Sequence, residues 1–176
     1  METLGHLAAI WRYPVKSLAG ESLNEARVDI DGLNGDRTRA LSVVSGHARA
    51  GKPYRGKEHN LLHTTNEVGR ALEMAASRGV ALQLDSELGK RYFDAASVSL
   101  IFDTWIAQVE SALGMQLDPR RWRPNLYARA ACGFSVPEAD LVGSTISTGT
   151  VILRVCDTIK RCVTPTYDIA GGESNA

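Results

Sequence analysis

The chain has no net charge. Its 20 Lys+Arg balance 20 Asp+Glu, at a pI near 6.9. A neutral surface gives no global pull toward nucleic acid or an anionic membrane, so an anion site has to be a local cluster. No apolar run is long enough to span a bilayer. The start, Met1-Glu2-Thr3-Leu4-Gly5-His6, lacks the basic and apolar regions of a secretory signal. There are three cysteines, Cys132, Cys156 and Cys162, and no Cys-x-x-Cys pair. An odd count without a signal argues against a disulfide framework and for free thiols in a reducing cytoplasm. All four histidines fall in the first 63 residues, and only His59 and His63 have ligand-like spacing. Without a third ligand beside them, a zinc site is the weaker reading.

A complete P-loop is also missing. Gly46-His47-Ala48-Arg49-Ala50-Gly51-Lys52 has the glycine spacing, but Pro53 stands where a magnesium-binding hydroxyl belongs and no helix start follows. No flavin, haem or iron–sulfur motif is visible, so the chain has no means of collecting electrons from a nicotinamide.

What is present reads as many short strands with few helices. Residues 7–12 form a strand that exits through Tyr13-Pro14, since proline cannot sit in a central rung. Leu23 to Ile30 alternates as one half-buried strand. Asp31 to Asp36 is turn chemistry, and Ala40 to Val44 is a strand. Residues 46–60 read as a loop or irregular hairpin, with Leu61 and Leu62 opening another strand. Asn66 to Arg78 predicts a helix, with Asn66 as N-cap and Gly79 beyond its end. Strands follow at Val80–Leu84 and Ser97–Phe102.

Asp103 is placed to cap a second helix through Leu113, with Trp105, Ile106, Val109 and Leu113 on its buried face and Gly114 as terminator. Leu126 to Ala131 is a strand, and Ile146 to Cys156 is a pair of strands about Thr148-Gly149. The tail, 172–176, is expected to be disordered. The pattern predicts a single, mainly β, barrel-like domain with about two helices.

The densest chemistry lies in Lys160-Arg161-Cys162-Val163-Thr164-Pro165-Thr166-Tyr167-Asp168. A thiol beside a guanidinium is a candidate thiolate, because positive charge favours the ionised form. Cys132 and Cys156 read instead as small structural hydrophobes. Three further clusters suit anions: Lys16 and Ser17 at a strand end, Lys52, Arg55 and Lys57 around Tyr54, and Arg120, Arg121, Arg123 and Asn125 at a strand entrance. Each, standing alone, is more readily an exposed charged loop.

They do not stand alone. Tyr13-Pro14-Val15-Lys16-Ser17, Gly32-Leu33-Asn34-Gly35-Asp36-Arg37, Arg123-Pro124-Asn125 and Arg161-Cys162 with Asp168 occur in the order found in the MOSC family, the molybdenum cofactor sulfurase C-terminal domain family. The resemblance runs from about Ile10 to Gly171. That family includes the amidoxime-reducing components and bacterial proteins that confer resistance to N-hydroxylated base analogues.

The resemblance implies a closed or partly open barrel of the MOSC, pyruvate-kinase-barrel-like type. It would have barrel elements at about 7–65, a helix-containing middle at 66–118 and a MOSC core at 119–171. It further implies molybdenum cofactor (molybdopterin) binding and oxidoreductase activity on N-hydroxylated small molecules, with electrons from a separate transfer protein. Pyridoxal phosphate binding is a further property the resemblance brings.

Carried over by position, Cys162 is the protein thiolate on molybdenum, a soft ligand for a soft metal. Lys16, Ser17 and Arg37 contact the pterin and its phosphate, as do Arg123 and Asn125. Arg161 flanks the metal, and Asp168 orients substrate or relays a proton. Relatives carry hydroxyl residues just after the Ser97–Phe102 strand. Here the residues are Asp103-Thr104-Trp105, so Thr104 is the one replacement contact. Ile169-Ala170-Gly171 stands where relatives have proline and then Thr-Gly. Two other readings remain open: a MOSC module that binds the cofactor or carries sulfur on Cys162, and a cofactor-free scaffold that binds a small molecule or a partner.

Overall fold

The computed structural model describes residues 2–55, 65–160 and 162–169. Among them are ten strands and two α-helices: β1 (Gly5–Arg12), β2 (Glu21–Leu23), β3 (Val28–Asp29), β4 (Gly32–Leu33), β5 (Ala40–Ser45), α1 (Val68–Ala76), β6 (Ala81–Asp85), β7 (Leu100–Phe102), α2 (Asp103–Leu113), β8 (Leu126–Ala130), β9 (Thr145–Thr148) and β10 (Val151–Arg154). The protein is mainly β with two helices, as its residue pattern implies. No helix among the described residues is long and apolar enough to cross a membrane.

The largest sheet has the order β2-β1-β8-β7, with β1 antiparallel to both β2 and β8 and β7 parallel to β8. The other pairings are two-stranded: β5 with β6, β9 with β10, and β3 with β4. A closed barrel is therefore not what forms, because among the described residues no sheet pairs its two edges. The expected strand from Leu23 to Ile30 is instead two short pieces, β2 and β3, and Ile30 is 98% exposed. The strand expected over Ser97–Phe102 shrinks to Leu100–Phe102, which leaves Ser99 to line the cleft beside Ala95 and Ala96.

Three buried clusters among the described residues hold these layers. In one, α1 lays Ala71 and Ala75 on the β5–β6 pair, meeting Val15, Leu18, Leu41, Val43, Tyr54 and Val80. Fully buried residues such as Leu18 and Leu41 are worth about 1.5–3 kcal/mol each. The loop after β5 folds back as an irregular hairpin, with Gly51 N–H donating to Val43 O (2.8 Å) and Tyr54 N–H to Leu41 O (2.6 Å). A second packs Ile101, Ile106 and Leu117 together, and a third sets Phe102 and Leu141 against Ala128 of β8, with Phe102 stacked on Phe134 at 4.6 Å.

Helix ends differ in detail from expectation. The N-cap of α1 is Glu67, not Asn66, and Thr65 Oγ1 accepts from Glu67 N–H (3.1 Å) just upstream. Asp103 is the first residue of α2 rather than its cap. Its carboxylate accepts from Thr104 N–H and from Ala130 N–H, so it ties the helix to β8. Gly114 ends α2 at φ 68°, a conformation that costs glycine little. The expected buried face of α2 is narrower than its pattern: Ile106 is buried, but Val109 and Leu113 are exposed. Cys132 and Cys156 are exposed as well, not core. The Leu61-Leu62 strand, the His59–His63 pair, Lys57, Arg161 and the tail lie outside the described residues.

Sheet order decides where chemistry gathers. The antiparallel register of β1 on β8 pairs Ile10 with Leu126, and the parallel register of β7 on β8 pairs Leu100 with Leu126. The exit of β1 and the entrances of β7 and β8 therefore meet at one end of the sheet.

Candidate functional site: a cationic cleft at one end of the sheet

At the β1 exit, Pro14 stops the strand and the chain zips onto residues 36–39. Tyr13 N–H donates to Asp36 Oδ1 (2.7 Å), Arg37 N–H to Tyr13 O (2.8 Å), and Lys16 N–H to Arg39 O (2.8 Å). Val15 and Leu18 point into the first core and anchor this zip. Lys16 and Ser17, between them, are turned toward the cleft. Ser17 Oγ donates to Tyr54 O (3.1 Å).

Three non-glycine residues among those described have positive φ: Ser17 (71°), Arg37 (47°) and Arg123 (52°). Each costs on the order of 1–2 kcal/mol relative to a right-handed residue. All three line the same cleft. Strained backbone that gathers at one place is held there by its surroundings, and those surroundings can be named.

Asp36 is fully buried and ion-pairs with Arg37 Nη1. Arg37 Nη2 donates to Arg123 O (3.2 Å), joining the two strained residues. Asn125, 1% exposed, locks the base. Its Oδ1 accepts from Ser99 N–H and Oγ–H (3.1 Å each), its Nδ2 donates to Trp11 O (3.2 Å), and its own N–H donates to Ser99. The carboxamide thus stitches the β1, β7 and β8 ends together beneath the cleft. The Tyr13 ring lies under both guanidinium groups, 4.2 Å from Arg123 Cζ and 4.9 Å from Arg37 Cζ. Such contacts stabilise a desolvated cation by about 0.5–2 kcal/mol. Burial pushes the Tyr13 phenol up to about 12 and the Arg123 guanidinium down to about 10. At neutral pH the tyrosine is therefore protonated and the arginine charged.

The cleft has a volume of about 360 Å³, within the range of small-molecule sites. Lys16, Arg37, Arg55, Arg121, Arg123 and Lys160 line it, against a single carboxylate among the described residues, Asp94, which pairs with Lys16. On a neutral chain this is a concentrated positive field in a partly enclosed space, where charges are screened less than on an open surface.

At one lip stands Cys162, exposed, with Sγ 2.9 Å from Thr164 Oγ1 and accepting from Thr164 N–H (3.5 Å). Both groups would solvate a thiolate. The turn that follows, Thr164–Thr166, is linked to the basic wall by Arg121, whose Nη1 donates to Pro165 O (3.5 Å) and whose Nη2 faces Asp168 Oδ1 at 3.8 Å.

The residues singled out from sequence therefore divide by place. Lys16, Ser17, Arg37, Arg123 and Cys162 converge on the cleft. Asn125 lies beneath it, and Asp168 sits behind Arg121. Thr104 is in the first turn of α2, not in the cleft lining, with its Oγ1 buried and lacking a hydrogen-bond partner among the described residues. Arg121, Ser99, Asp94 and Lys160 are cleft residues that were not singled out individually. Arg121 was visible as part of a basic run, whereas Asp94 and Ser99 carry no sequence signal.

Among the described residues no group of three or more His, Cys, Asp or Glu could hold a metal ion. A metal at Cys162 would have to arrive with most of its ligands. The cleft suits such a group: one accessible soft donor at the lip and cationic walls for an anionic carrier.

No curated protein and no solved structure matches the chain. A family model does match, over residues 4–101, a span that includes Lys16, Ser17 and Arg37 and stops within β7. By that match, over more than half its length, the chain belongs to the family described as the MOSC N-terminal beta barrel domain.

Proposed function

We propose that the protein binds the molybdenum cofactor in the cationic cleft and reduces N-hydroxylated small molecules, using electrons from a separate protein. The observation that carries this reading is the convergence of Lys16, Arg37, Arg123 and Cys162, which are distant in sequence, on one cleft. Membership of a MOSC family supports it.

In this reading Lys16, Arg37, Arg123 and Arg55 hold the anionic pterin and its phosphate. Cys162 supplies the protein thiolate to the metal, with Thr164 stabilising the sulfur's charge. When bound, the cofactor supplies two-electron redox chemistry at an oxygen-accepting metal. Reduction of an N–OH group to N–H releases water and consumes two electrons and two protons. Asp168 stands behind Arg121, outside the cleft lining, and in this reading its carboxylate orients a substrate or passes a proton from solvent by way of that side. Arg161 is assigned to flank the metal on its place in the sequence alone. Asn125 keeps the strand ends together, and Thr104 serves α2 rather than the pocket.

The test is metal analysis of protein made in a host that synthesises the cofactor, together with reduction of benzamidoxime by a chemical electron donor. The expected result is near-stoichiometric molybdenum and pterin with turnover, and loss of both metal and turnover in Cys162→Ser. Cofactor bound without turnover would replace the reductase reading with a binding or sulfur-carrying module. Protein holding neither molybdenum nor pterin would sink the cofactor reading.

A further inference from the structure

The cleft adjoins a second, larger space, a groove of about 510 Å³. Ala95, Ala96, Ser99 and Ile159 line both, so the two meet along that strip. The chain leaving β10 runs from one to the other. Val155 to Ile159 line the groove, while Ile159, Lys160 and Cys162 line the cleft. Val28 of the β3–β4 ribbon and Ile146 of the β9–β10 hairpin also line the groove, as do Leu100, Trp105 and Leu141 from the third buried cluster. The ribbon sits hard against the segment that carries the strip. A Cβ on Gly32 would lie 2.5 Å from Ser97 O, so only glycine permits that approach. Trp105 Nε1 donates to Val136 O (3.0 Å), so the one donor of this indole is already used within the protein.

Charge separates the two compartments. Six Lys and Arg side chains line the cleft, against Asp94. Among the described residues the groove has Arg154 alone, against Asp29, Glu138 and Asp157. An anion is therefore drawn to the cleft and disfavoured in the groove. Most of the remaining groove lining is aliphatic or aromatic, and its size is that of a small-molecule site. A molecule that fills the groove and reaches the cleft past Ile159 arrives beside the Cys162 turn.

We propose that the groove binds the apolar body of the substrate, an aryl or alkyl group without negative charge, while the N–OH head lies in the cleft on the Cys162 side. The role of the head rests on the reductase reading, whereas binding of the body needs only the groove. The substrates selected are uncharged or cationic N-hydroxylated compounds with an extended apolar part. Carboxylate-bearing ones are rejected.

The test titrates the full chain with benzamidoxime and its para-butyl and para-hexyl derivatives, read on isoleucine δ1-methyl resonances. Saturable shifts are expected at Ile146 and Ile159, and none at Ile101 in the second buried cluster. Affinity should rise along the series by up to roughly fourfold per buried methylene. Ala96→Phe, at an exposed position on the shared strip, obstructs the junction without removing a buried partner. It should weaken para-hexyl binding about tenfold, near the worth of two buried methylenes. A para-carboxylate should leave Ile146 unmoved. In cofactor-loaded protein, KM should fall along the series with kcat little changed. Because the shifts need no molybdenum, the two readings fail separately. Shifts that follow chain length in protein without turnover keep the groove and sink the reductase. Turnover with Ile146 unmoved and KM indifferent to chain length keeps the reductase and overturns the groove. Equal movement of Ile146 by the carboxylate also overturns it. So do ligand-free shifts that grow with protein concentration as the mass doubles, which would make the groove an interface between copies.

Discussion

The cleft is bounded by two regions built in opposite ways. On one side Tyr13, Asp36 and Asn125 are nearly free of solvent, and each is held by several directed interactions from different strands. On the other side Cys162 and Val163 are exposed, and most hydrogen bonds of the turn are internal: Thr164 N–H to Cys162, Thr166 to Val163, Tyr167 N–H to Thr164. The contrast assigns the work. Charge must be prepositioned against repulsion between like groups, so it sits on a crosslinked frame that can hold three residues at positive φ. In the proposed reading the metal-binding thiol needs only to be presented at the rim, and a short turn tethered by Arg121 suffices. Local stability is expected to differ accordingly across the cleft.

The comparison breaks most readily at Asp36. Asp36→Ala removes the acceptor for Tyr13 N–H and leaves the Arg37 guanidinium half-buried without its carboxylate. Loss of one member of a buried pair costs about 3–5 kcal/mol. Urea denaturation should show a loss of that size. A change near zero would mean that the frame is not held by this charge.

Asn125 tests the same frame from beneath. Asn125→Ala strands Ser99 N–H and Trp11 O among buried atoms, so a loss of about 2–4 kcal/mol is expected from the unpaired groups. Cofactor content should fall with it, because the β7 and β8 entrances lose their tie. If stability falls and the cleft still binds normally, Asn125 is a core residue and nothing more.

How much of this was legible beforehand depends on the range of the forces involved. Elements coded locally were readable: α1, α2 with Gly114 at its end, and the β9–β10 hairpin about Thr148-Gly149 all follow from periodicity and turn chemistry. Strand partnering over long separations was not, and among the described residues no sheet closes, where a closed or partly open barrel was expected. Burial failed where it depends on what lies opposite: Val109 and Leu113 continue the apolar face of α2 past the point where a neighbour covers it. In the site, motif order located Lys16, Arg37, Arg123 and Cys162. Residue type gave no hint that Ser17, Arg37 and Arg123 would be left-handed, since that region favours glycine and asparagine. Nor could it show Arg121 as the tether between the two sides.

A pH measurement sharpens the buried side. The Tyr13 phenol titrates near 12 in the folded protein and near 10 when unfolded. Its folded pKa is raised, so the stability it carries is complete below pH 10 and is lost as pH rises toward 12. Between those values wild type should lose about 1–2 kcal/mol relative to Tyr13→Phe, which has no proton to give up there. Arg123, pushed down to about 10, acts in the opposite direction over the same window, and because it interacts with the phenol the difference between the two proteins reports the Tyr13–Arg123 pair. Parallel stability curves for the two would place Tyr13 in water.

The smallest effect belongs to the exposed side. Cys162 carries no burial for folding to gain, and Thr164 Oγ, its nearest polar contact, can turn to solvent when the sulfur is gone. Cys162→Ser should therefore change stability by no more than about 0.5 kcal/mol, while it removes the donor on which metal retention would rest. Since Cys132 and Cys156 are exposed too, the native protein should yield three thiols to a disulfide reagent without denaturant, and Cys162→Ser two. A Cys162 that reacts only after unfolding would put the thiol inside the frame. The two sides of the cleft would then be one structure, and the division between a fixed charged wall and a presented ligand would fail.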